Sequence, residues 1–70
     1  MPDRNTINML KDRFPNGCRV ALDHMDDAQA PPPGTTGTVI HVDDMGTIHV
    51  AWDTGSSIGV VFGADACHKI

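Results

Sequence analysis

Thr36-Gly37-Thr38-Val39-Ile40-His41-Val42-Asp43-Asp44-Met45-Gly46-Thr47-Ile48-His49-Val50-Ala51-Trp52 carries two runs of β-branched and apolar residues around a short polar break. That pattern predicts a β-hairpin. Asp43-Asp44-Met45-Gly46 forms the turn, with Gly46 supplying the positive φ that tight hairpin turns demand. Setting Asp43 opposite Thr47 places Val42 against Ile48, Ile40 against Val50 and Thr38 against Trp52, so that apolar residues share one face. The opposite face then pairs His41 with His49.

Downstream of the hairpin, Asp53-Thr54-Gly55-Ser56 predicts a second turn. Ser57 to Phe62 follows as a strand with Ile58, Val60 and Phe62 on one side. Gly63-Ala64-Asp65 turns the chain again, and Cys67 to Ile70 suffices for a closing strand. Upstream, Cys18, Val20 and Leu22 alternate with Arg19 and Ala21, the period of a half-buried first strand. Between that strand and the hairpin, Asp23 to Gly34 contains Pro31-Pro32-Pro33, which cannot join a ladder, and predicts a long loop whose Met25 plugs the core edge. At the start of the chain Asn5-Thr6 is placed to cap a short helix. Ile7, Leu10 and Phe14 form its apolar stripe and Pro15-Asn16-Gly17 ends it.

Five short strands in a chain of 70 residues, too short for a sandwich, predict an all-β fold: a small five-stranded barrel with a short N-terminal α-helix. The whole chain, 1–70, is expected to be one domain, with helix and linker over 1–16 and barrel over 17–70. Its expected core is Leu10, Phe14, Val20, Leu22, Ile40, Val42, Ile48, Val50, Trp52, Ile58, Val60 and Phe62.

A length of 70 residues leaves no second unit to form an interdomain substrate cleft. Nine acidic residues against five basic ones give a formal net charge of −4, the wrong sign for affinity gained by neutralising phosphates. The longest uncharged apolar run, Ile58 to Ala64, falls far short of the roughly 20 residues that span a bilayer. With no apolar segment behind the first residues, no secretory signal is visible, and the expected location is cytoplasmic, away from membranes.

Catalysis and metal binding find little to work with. Ser57, His49 and Asp53 supply the residue types of a nucleophilic trio, but no nucleophile elbow surrounds them, and Gly34 to Gly37 lacks the lysine of a phosphate loop. No paired cysteine or histidine spacing suits zinc, although His41 and His49 face each other across the expected hairpin. Cys18 and Cys67 would pair only if the first and last strands were neighbours. No enzyme activity, cofactor or metal is expected.

The segments "PPPGTTGTV", "VDDMGTIHVAWDTGSS" and "GADAC", in this order, resemble the core of a small bacterial and phage domain family of unknown function, from Gly17 to about Asp65. That resemblance implies a stand-alone accessory protein of a phage or mobile element, and it carries no functional residues across. The shorter pattern of a G-x-V run, a hairpin and Trp52-Asp53-Thr54-Gly55 is similar to SH3-like barrels of the Mib-Herc2 and KOW type. It implies an SH3-like barrel in which Trp52 is structural.

Two functions follow as expectations. The first is a non-enzymatic protein-interaction module that meets an unidentified protein partner through the aspartate-rich loop and hairpin tip, by Asp26, Asp27, Asp43, Asp44 and Met45. A phage factor that inhibits host defence is its sharper form, and a homodimer is compatible with it. The alternative is a nucleic-acid-associated KOW-type barrel that uses the basic concentration Arg4, Lys11, Arg13 and Arg19.

Overall fold

A computed structural model describes residues 2–70. Helix α1 spans Arg4–Arg13, followed by strands β1 (Arg19–His24), β2 (Thr36–Val42), β3 (Thr47–Trp52), β4 (Val60–Val61) and β5 (Ala66–Lys69). The strands form one antiparallel sheet in the order β4-β3-β2-β1-β5. The expected β-rich architecture with one short helix is present.

The hairpin turn has the predicted chemistry. Gly46 takes φ +85, its N–H donates to the Asp43 carbonyl at 3.1 Å, and the Asp43 N–H donates to Thr47 at 3.0 Å. Val42 pairs with Ile48 and His41 with His49, as the turn dictates. Beyond that point the register departs from expectation: Val39, not Ile40, faces Val50, and Gly37, not Thr38, faces Trp52. A bulge at Ile40 sets two residues of β2 against His49 alone. Val39 is therefore buried at 1% exposure, while Ile40, expected in the core, is 43% exposed.

The fourth strand is shorter than the sequence predicts. Ile58 lies outside the ladder among the described residues, and its carbonyl accepts the Trp52 indole Nε1–H at 2.8 Å. Ile58 ends half-buried, and Phe62 lies 46% exposed beyond the strand end. The sheet does not close into a barrel. Closure would use the outward backbone groups of β4, and the following turn has already taken them: the Val61 N–H donates to the Asp65 carboxylate at 3.0 Å, and the Val61 carbonyl accepts from Ala64 and Asp65.

Helix α1 is capped by Asp3, whose carboxylate accepts the Thr6 N–H at 2.8 Å. Asn5 and Thr6, expected as the cap, lie inside the first turn. Leu10 and Phe14 enter the common core with Val20, Leu22, Val39, Val42, Ile48, Val50, Trp52 and Val60, and Met25 seals its edge from the loop. Strands β1 and β5 are neighbours, but Cys67 faces Leu22 rather than Cys18, and both cysteines are free thiols.

Candidate functional site

The acidic residues singled out in the sequence differ in what their carboxylates hold. Asp43 is structural: one carboxylate oxygen accepts the backbone N–H of Met45 at 2.9 Å and of Thr47 at 3.0 Å, and the other lies 2.8 Å from His49 Nε2. The contact with His49 and these two amides hold its carboxyl below the usual range. His49 in turn stacks on His41, with ring centroids 4.4 Å apart and 12° between planes. Asp44 pairs with Lys11 of α1 at 2.7 Å, so a residue of the expected acidic surface neutralises one of the expected basic surface. Met45 at the tip is 65% exposed. In the long loop Asp27 accepts the Gln29 N–H at 2.8 Å, and the Asp26 N–H donates to Asp65 at 3.0 Å, which fastens the loop to the start of β5.

The basic group is likewise divided. Arg19 forms a two-pronged pair with Asp53 at 2.8 and 2.6 Å, and Thr36 donates to the same carboxylate at 2.6 Å. These contacts, the guanidinium first, hold the Asp53 carboxyl far below its ordinary range. This assembly explains Trp52-Asp53-Thr54-Gly55 structurally, because Asp53 ties the end of the hairpin to β1 and β2. Arg4, Arg13 and Lys69 form no ion pair among the described residues.

What the sequence reading did not assemble is a groove of about 490 Å³ between α1 and the β4–β5 end of the sheet. Its floor is the buried Leu10, Phe14, Ile48 and Val60, and its lips are Met9 and Phe62, each almost half exposed. Arg13 and Lys69 line it too, and Asp65 belongs to its lining near the loop that carries Asp26. Cys67 lines the groove with a thiol that burial, and then the nearby Asp23 charge, pushes up to about 11. At neutral pH that thiol is protonated and a poor nucleophile. No group of three metal-ligating side chains converges among the described residues.

A family model described as a domain of unknown function, DUF4314, matches residues 3–70. The chain belongs to that family. The match takes in α1, all five strands and every residue of the groove, so the helix is part of the DUF4314 unit rather than an extension of it. No curated protein matches the chain. Among the described residues no helix is long and apolar enough to cross a membrane.

Proposed function

We propose that this DUF4314 chain is a non-enzymatic protein-interaction module on an SH3-like frame, and that the groove between α1 and β5 receives its partner. The observation that carries this reading is the groove itself: an apolar floor with Met9 and Phe62 left exposed at its lips. The SH3-like relationship draws support from the strand order, in which the two edge strands follow one another in sequence and are joined only by residues 62–65.

The nucleic-acid reading draws less support. Two of its four cations, Lys11 and Arg19, are neutralised by Asp44 and Asp53, on a chain of net charge −4. A phage or mobile-element origin would make a bacterial host protein the natural partner. The test is capture from a bacterial lysate with and without nuclease, read by mass spectrometry. A discrete protein recovered in equal yield under both conditions is expected. Recovery of nucleic acid, or of material lost on nuclease treatment and steeply weakened by salt, would count against the proposal.

A further inference from the structure

We propose that the outer edge of β5 is a strand-addition site for an extended peptide that seats an apolar side chain in the groove and turns an acidic residue toward Arg13 and Lys69. The inference rests on the interaction-module reading and names its surface and the chemistry of the partner.

Antiparallel partners alternate between pairs that exchange hydrogen bonds and pairs that do not. The Ile70 N–H donates to the Arg19 carbonyl at 3.1 Å, so Ala21 and His68, two residues along, form the next bonded pair. The β1–β2 side agrees, since Leu22 donates to Thr35 and Cys18 accepts from Val39, which leaves Arg19 and Ala21 facing β5. It follows that Cys67 and Lys69, opposite Leu22 and Val20, point their N–H and C=O groups away from β1. These groups lie on the sheet edge and pair with no other strand among the described residues.

All four residues of β5 line the groove. Side chains alternate across a strand, so a cleft touched by four in succession runs along the strand's edge rather than over one face. The opposite edge of the sheet is unavailable, because Asp65 and the turn that contains it have occupied the outward groups of Val61. An unpaired row of backbone donors and acceptors beside an apolar cleft is the arrangement by which sheets bind extended peptides: backbone bonds supply affinity and the cleft reads alternate side chains.

Charge selects the peptide. Of the five cations in the chain, Lys11 and Arg19 are paired, while Arg13 and Lys69 have no ion-pair partner among the described residues, and both line this groove against one carboxylate, Asp65, whose two oxygens accept the Asp26 and Val61 N–H groups. An acidic side chain opposite them is favoured, although the protein as a whole is anionic.

The test is selection of a displayed random-peptide library against the immobilised protein, followed by amide chemical-shift mapping with the enriched peptides and by the double variant Arg13→Glu, Lys69→Glu. Both side chains are exposed and form no ion pair among the described residues, so the variant should fold, melting a little below the parent because a glutamate replaces Arg13 in the last turn of α1. The expected result is peptides with alternating apolar residues and an acidic residue, shifts concentrated at Cys67, Lys69 and Phe62, and affinity lowered about tenfold in the variant. Selection by the variant itself should then enrich basic peptides in place of acidic ones. Enriched peptides that shift Asp44 and Met45 instead would overturn the groove and leave the interaction module standing. Failure to enrich any peptide would overturn the inference alone, with lysate capture still deciding the module. Sedimentation showing a dimer, with shifts at Cys67 and Lys69 on dilution of the free protein, would assign the edge to a second copy and overturn the peptide.

Discussion

Trp52 works at both ends of its side chain: the ring is 3% exposed inside the sheet and its Nε1–H is satisfied by the Ile58 carbonyl. Trp52→Ala should cost about 3–5 kcal/mol, comparable to all that a core of this size supplies, and thermal melting should find the variant largely unfolded. Gly37 is as constrained as Trp52 in the opposite sense. A Cβ there would lie 2.7 Å from Val50 Cγ1, 2.8 Å from Trp52 Cε3 and 2.9 Å from the Ala51 carbonyl oxygen. Gly37→Ala is expected to destabilise by about 1–3 kcal/mol through overpacking, measured by urea titration. Among the aspartates, exposure does not mean dispensability. Asp26→Asn and Asp27→Asn should each change stability by less than about 0.5 kcal/mol, and Asp44→Asn, which loses only an exposed pair with Lys11, should melt close to the parent. Asp43→Ala frees the Met45 and Thr47 amides, and about 1 kcal/mol should be lost. The sequence shows four similar acids near turns, and only the geometry of the turn separates the one that holds it.

At the scale of elements, turns were more legible than register. Asp-Asp-Met-Gly named its own turn, and the pairing of His41 with His49 followed from it. The bulge three residues from the turn was not visible. Thr38, Val39, Ile40 and Val42 are all β-branched, so the run suits either face, and no alternation records where the phase slips. The slip has a direct consequence. Val39→Ala should cost about 1.5–3 kcal/mol, whereas Ile40→Thr should stay within about 0.5 kcal/mol, and the two denaturation midpoints together report the register. Equal losses at the two sites would contradict the bulge. The helix was legible in its stripe and not in its cap, because Asp3, Asn5 and Thr6 all cap well and stand within one turn of each other.

For the molecule as a whole, partner contacts hold the carboxyls of Asp3, Asp43, Asp44 and Asp53 below their ordinary values. A group depressed by folding binds its proton more readily in the unfolded chain, so the stability it contributes is present above the unfolded value and lost as pH falls through the folded one. The urea midpoint should therefore drop as pH is lowered from about 4 toward 2. Asp53→Asn should flatten that slope most, since its depression is the deepest. The groove belongs to this scale as well, which is why the sequence hid it. Met9 and Phe62, or Arg13 and Lys69, lie more than fifty residues apart and meet only when α1 crosses the end of the sheet. A peptide can add to β5 only if that strand has one paired and one open edge, and residue-resolved amide hydrogen exchange of the free protein reads this directly. The His68 amide, bonded to β1, should be protected, while those of Cys67 and Lys69 should exchange near the rate of an unstructured chain. Equal protection at all three positions would mean that the outer edge is already covered, and the proposed binding surface would be lost with it.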